Sequence, residues 1–182
     1  MVSETIIEGV KQKEEGAFAE LYEVCIPYVY TVTKRHVNND NNIQDIIQEI
    51  FARIFLSISS FDPAKGAFKP WLRRVVINQC YQNYQKGKAR MHHVPLEKAS
   101  EIANDPVNLN ALSKEEIEGL LRQMPEGYRQ VFLLVVIEDY THQEVAEVLN
   151  ITKATSRSQL SRAKNWLRNN NSETLKSIAH GF

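Results

Sequence analysis

At 182 residues and 43% apolar content, the chain is an ordinary globular protein long enough for one domain or two small ones, and its longest apolar run, VFLLVVI at 131–137, falls far short of the ~18–20 residues that span a bilayer. Only Cys25 and Cys80 are present, far apart and in no CxxC pattern, which argues against a disulfide framework or a cysteine-based zinc site. The formal charge is zero, 22 bases against 22 acids, so a uniformly basic or acidic surface is excluded and any charged function must come from local segregation.

The N-terminal MVSETIIEGVKQKEEG is polar and lacks the basic start and apolar core of a secretory signal, which predicts a cytoplasmic protein without membrane insertion. From there apolar residues recur at helical spacing and no alternating strand is evident, so an all-α fold is expected. The first helix is predicted over 14–37, with Phe18, Leu21, Tyr22, Cys25, Tyr28 and Val29 three and four apart; HVNNDNN then breaks it. A second helix over 42–59 puts Ile43, Ile46, Ile47, Ile50, Phe51, Ile54 and Phe55 on a core-facing stripe, and Asp62-Pro63 with Gly66 mark a loop. The third helix is KPWLRRVVINQCYQNYQKGKAR, 69–90, with six bases and no acid. At 100° per residue Trp71, Leu72, Val75 and Val76 share one broad face, and Arg74, Asn78, Tyr81 and Gln85 a separate narrow arc.

Residues 91–112 change to small polar side chains with two prolines and read as a linker, in which adjacent His92-His93 lacks metal-ligand spacing. Ser113-x-x-Glu116 resembles a capping box opening a helix that ends near Met124, and Pro125 suits the start of another over 126–137. Thr141-x-x-Glu144 is a second capping box opening THQEVAEVL, Asn150 fits the left-handed residue of a tight turn, and the last helix is predicted over 153–169. Ile151, Leu160, Ala163 and Leu167 supply its buried side, and Lys153, Thr155, Arg157, Ser158 and Arg162 its remaining face. This is the layout of a helix-turn-helix, whose second helix enters the DNA major groove. The tail SETLKSIAHGF suggests no role.

Charge follows the same plan: 10 acids and 5 bases to residue 62, 7 bases and no acid over 63–96, 7 acids and 3 bases over 97–126, then 5 bases and no acid over 150–170. Two basic islands between acidic segments suit two separate contacts with a polyanion.

In AFAELYEVCIPYVYTVTKRHV, NIQDIIQEIFARIFLSISSFDP, AFKPWLRRVVINQCYQNYQKGKAR and LLRQMPEGYRQVFLLVVIEDYTHQEVAEVLNITKATSRSQLSRAKNWL, in that order, the chain resembles a bacterial RNA polymerase sigma factor of the extracytoplasmic-function type. The resemblance implies two helical domains joined by a linker: 1–91 binding core polymerase and the minus-10 element, 92–111 the linker, and 112–170 the minus-35 reader, followed by a tail at 171–182. It implies promoter DNA and core RNA polymerase (β′ clamp and β subunits) as partners, an anti-sigma factor as a further one, and no cofactor, metal or catalytic residue. Arg74, Asn78, Tyr81 and Gln85 would face the melted minus-10 strand, with Lys86, Lys88 and Arg90 on its backbone. Asp45, Gln48, Glu49 and Arg53 would dock on the polymerase. His142, Gln143, Lys153, Thr155, Arg157, Ser158, Gln159 and Arg162 would contact the minus-35 duplex. Melting a promoter needs a basic groove, an aromatic surface and amides able to reach exposed base edges, and 69–90 supplies all three; Trp71 equally suits a core anchor.

The recognition helix departs from the family pattern: Ser156 replaces an apolar residue and Gln159 a base, which suggests a shifted base preference, since Gln pairs with adenine N6 and N7. A stand-alone helix-turn-helix regulator explains 141–168 equally well but leaves the acid-free 71–90 without a role. A helical enzyme built on Asp45, Glu49 and a histidine lacks a convergent polar pocket, and a pure interaction protein makes both basic islands incidental.

Overall fold

The computed structural model describes residues 2–37, 42–88 and 114–179, with side chains at 86–88, 114–118 and 171–179 excepted. The side chains of Lys86 and Lys88, Arg90, His92-His93, the linker and the Ser113 capping box lie outside the described residues. Every regular element among those described is helical, and none of these helices is long and apolar enough to cross a membrane. The chain divides into two compact units, Met1–His93 and Val94–Phe182.

The first unit holds α1 (Glu4–Lys11), α2 (Ala17–His36), α3 (Ile43–Ser57) with a 3-10 turn at Ile58–Ser60, and α4 (Phe68–Lys88). The start of the chain differs from expectation. A separate helix, α1, is capped by the Ser3 hydroxyl and buries Ile7 and Val10, and the left-handed Lys13 (φ 58°) and Gly16 (φ 83°) turn the chain before α2 begins. Leu21, Cys25, Val29 and Val32 of α2 meet Ile43, Ile47, Ile50, Phe51 and Ile54 of α3 and Leu72, Val76, Ile77 and Cys80 of α4 in one core. Phe55, expected in the α3 stripe, is instead 40% exposed and lies edge-on to Phe18 at 5.1 Å. Burial pushes the thiol of Cys25 up to about 11 and that of Cys80 up to about 12, so both are inert packing groups.

The second unit holds α5 (Lys114–Gln123), α6 (Glu126–Phe132) continuing into a wider π turn at Leu133–Ile137, α7 (His142–Leu149) and α8 (Lys153–Ala179). Leu120, Met124, Phe132, Ala163 and Leu167 form its core, flanked by Tyr128, Leu160 and Trp166. The Thr141 capping box is complete: Thr141 Oγ1 accepts from the Glu144 amide at 3.2 Å, and the Glu144 carboxylate accepts from the Thr141 amide at 2.8 Å. Asn150 ends α7 in the left-handed conformation (φ 54°). The last helix runs on to Ala179, ten residues beyond the expected stop at Asn169.

Candidate nucleic-acid interface

On α4 the predicted arc divides. Arg74 and Asn78 are exposed and Gln85 half-buried, but Tyr81 is 2% exposed, with its hydroxyl 3.1 Å from Nδ1 of the buried His36 and its ring edge-on to that imidazole. Tyr81 is therefore a core residue and not part of a DNA face. The cause is geometric: both α2 and α3 pack on α4, so the buried side of α4 is wider than its aliphatic stripe and takes in the flank carrying Tyr81. The open side is correspondingly rotated toward Trp71, Val75, Asn78 and Gln82.

That open side borders a cavity of about 180 Å³ walled by Arg53, Ser57 and Ser60 on one side and Trp71, Val75, Asn78, Gln79 and Gln82 of α4 on the other. Its lining brings together a guanidinium, two hydroxyls, three amides and an indole. Trp71 is half-buried: it packs against Phe61 (5.6 Å) and Phe68 (5.3 Å) and also lines the cavity. Gln79 is fixed from behind, donating from Nε2 to Glu49 Oε2 at 3.0 Å. Gln82, exposed at the cavity wall, is absent from the residues expected from sequence because its signal, an amide one turn beyond Asn78, is weak without knowing which side of the helix is open.

In the second unit Thr152 starts α8, its Oγ1 accepting from the Thr155 amide at 3.0 Å. Lys153 and Arg157 are exposed, Thr155, Ser158, Ser161, Arg162 and Lys164 half-buried. Gln159 is likewise half-buried, but its Oε1 is buried and its amide lies over Gly127 of α6, where an added Cβ would touch it at 3.7–3.9 Å. The expected base reader thus faces the helix behind α8, because α6 packs along that flank. Ser161, not among the expected contacts, lies one turn beyond Arg157 on the open side. Gln143 is exposed and donates to Glu147 at 3.2 Å. His142 opens α7 with Nδ1 2.8 Å from Ser156 Oγ, and burial, then the positive charges of Arg157, Lys153 and Lys164, hold its pKa below the usual value.

An acid-free α4 and an α8 without an acid up to residue 170, each open on one polar flank, agree with the two family profiles that the chain matches: Sigma-70 region 2 over residues 21–90 and Sigma-70, region 4 over residues 114–167. The chain belongs to the sigma-70 family. Among its relatives are two extracytoplasmic-function RNA polymerase sigma factors of Bacillus subtilis (strain 168). SigW is 29% identical over 175 residues, covering 89% of this chain and 92% of the relative; SigM is 26% identical over 152 residues, covering 82% and 91%. The fold is similar to that of the sigma factor RpoE of Bartonella quintana, solved with the anti-sigma factor NepR, at a TM-score of 0.51 and 18% identity, covering 85% of this chain and 96% of that one.

In this sigma factor the region 2 profile also takes in the outer strip of α3. Asp45, Gln48, Glu49 and Arg53 are all exposed there, and at 100° per residue Leu56 falls among them. Leu56 is 72% exposed, with Phe55 beside it. Leu56 and Phe55 thus add apolar surface to an otherwise polar strip.

Proposed function

We propose that this extracytoplasmic-function sigma factor acts in the cytoplasm, binding core RNA polymerase through the outer strip of α3, reading minus-35 duplex with α8 and capturing the melted minus-10 strand along α4. It is an initiation factor and not an enzyme in itself; bond formation belongs to the polymerase. Residues 1–91 act as the minus-10 and clamp-binding domain, 92–111 as the linker, and 112–170 as the minus-35 domain. The observation that carries this reading is the polar cavity beside α4. A recognition surface for duplex alone has no use for a recess lined by an indole and three amides, whereas an unstacked base needs a ring to lie against and an edge to pair with.

In this reading Arg74, with Lys86, Lys88 and Arg90, neutralises the strand backbone, and Asn78 and Gln82 pair with the base edge. On the duplex side Lys153, Arg157, Ser158, Ser161 and Arg162 approach phosphates and bases. Asp45, Gln48, Glu49 and Arg53 meet the polymerase's β′ clamp around Leu56, and the same exposed apolar strip suits an anti-sigma factor in competition with it. A net charge of zero makes each contact weak alone, and linkage through the polymerase raises the effective concentration of the second contact once the first is made.

Run-off transcription with purified bacterial core polymerase and a library of promoter fragments tests the whole. Specific starts are expected only when the protein is added. Asn78→Ala with Gln82→Ala is expected to cut open-complex formation about tenfold, the worth of two ordinary hydrogen bonds, with folding unchanged. Absence of starts, together with tight binding of the free chain to duplex DNA, would establish the stand-alone regulator instead.

A further inference from the structure

Ser156 is fully buried (0% exposed) in the first turn of α8, so it cannot touch DNA. Its hydroxyl nevertheless reaches across to α7, 2.8 Å from Nδ1 of His142, the first residue of that helix. The imidazole is half-exposed and lies in the field of Lys153, Arg157 and Lys164. These three cations fall within about 40° of one another at 100° per residue, so they form one stripe along α8.

A neutral imidazole has one donor and one acceptor nitrogen, and a hydrogen bond to one nitrogen dictates the role of the other. With the serine hydroxyl donating to Nδ1, the ring proton resides on Nε2. Burial and the three neighbouring cations keep His142 in that neutral form in the free protein. No acid lies within 150–170 to compensate the stripe, so like charges are gathered with an N–H donor on a surface already assigned to duplex binding.

We propose that Ser156 is a positioning residue for promoter binding: its hidden hydroxyl holds His142 by Nδ1, so that Nε2–H donates to a DNA backbone phosphate neutralised by Lys153, Arg157 and Lys164. The inference rests on α8 being the minus-35 reader. A serine hydroxyl both donates and accepts, so the same clip persists if the bound phosphate draws a second proton onto His142.

Complex formation by the full chain is measured against salt concentration twice, with core polymerase on promoter DNA and with the free chain on minus-35 duplex. His142→Asn keeps a hydrogen-bonding atom near the Nδ1 position and removes the outer nitrogen. It is expected to weaken binding about fivefold to tenfold with little change in salt slope, because a neutral imidazole that donates to a phosphate releases no counterion. Ser156→Ala is expected to weaken binding similarly without removing any group that reaches DNA, and Ser156→Thr, which keeps a hydroxyl, to restore most of it. Ser156→Val fills the space without a hydroxyl and is expected to behave as alanine does. The double variant Ser156→Ala with His142→Asn is expected to bind no more weakly than His142→Asn alone. Wild-type affinity in Ser156→Val, or in His142→Asn, overturns the proposal. Failure of the sigma factor reading is separately visible as no polymerase-dependent complex, with the variant pattern still measurable on bare duplex.

Discussion

Tyr81→Phe separates a core role from a DNA-reading role at the position where sequence and structure disagree most. The side chain is 2% exposed, and its hydroxyl lies 3.1 Å from Nδ1 of His36, itself 8% exposed. Removing the oxygen keeps the ring and its edge-on contact with the imidazole, 5.6 Å between centroids, so the loss is that of one buried hydrogen bond. Such a deletion costs about 1–2 kcal/mol, and in a unit of this size each kcal/mol lowers the melting temperature by about 4–8 °C. The N-terminal unit is therefore expected to melt about 4–15 °C lower by circular dichroism. Open-complex formation, followed by permanganate reactivity of promoter thymines well below that transition, is expected to stay at the wild-type level. An unchanged melting curve with lost promoter opening would show that Tyr81 reaches the DNA, and would refute an α4 rolled with its Tyr81 flank against His36.

Leu56→Ala removes an exposed side chain whose burial on docking is worth about 1.5 kcal/mol, so competition for core polymerase is expected to weaken about tenfold with melting unaltered; wild-type competition would move the docking face elsewhere. Gln159→Ala is expected to leave the ranking of minus-35 variants unchanged while Arg157→Ala weakens all of them, as run-off on a promoter panel would show, because the Gln159 amide lies over Gly127. For His142 the pKa lies below its ordinary 6.5; between the two values the unfolded chain binds more protons than the folded one, so stability rises with pH through that window. The C-terminal unit is expected to lose melting temperature on acidification below about pH 6.5, and His142→Asn to flatten that loss.

Most of the helical plan is legible in the sequence because its signals are local. The Ile43-Ile47-Ile50-Ile54 stripe, the Thr141 capping box and the left-handed Asn150 each depend on residues within a turn or two of each other, and all three have the expected form. What is illegible depends on neighbours distant in sequence. A helical wheel groups Tyr81 with Arg74 and Asn78, but nothing within α4 tells that His36 approaches that flank. Gln159 misleads for the same reason, since Gly127 of α6 decides which way its amide faces. The short α1 escapes because its turn rests on a left-handed Lys13, a conformation that lysine does not advertise. Leu56 escapes because periodicity assigns apolar residues to cores and has no means of marking one left 72% exposed.

Each of the two polar helices is held from behind by a hydrogen bond between side chains of different helices: His36 to Tyr81 behind α4, and His142 to Ser156 behind α8. Apolar packing alone tolerates small rotations of a helix, because dispersion and burial vary gently with angle. A hydrogen bond does not, since it weakens steeply with misalignment and leaves buried polar atoms unpaired if broken. In the proposed reading α8 presents Arg157 and Ser161 to DNA, and a few degrees of roll would carry them out of hydrogen-bonding tolerance of a phosphate. The buried pairs contribute modestly to stability. At α8 the larger effect is on the placement of His142, whereas at α4 the bond acts on stability. Variants at Tyr81 and Ser156 are nevertheless expected to separate, because Tyr81 is joined to a histidine that is itself buried, whereas Ser156 acts on a histidine at the DNA surface.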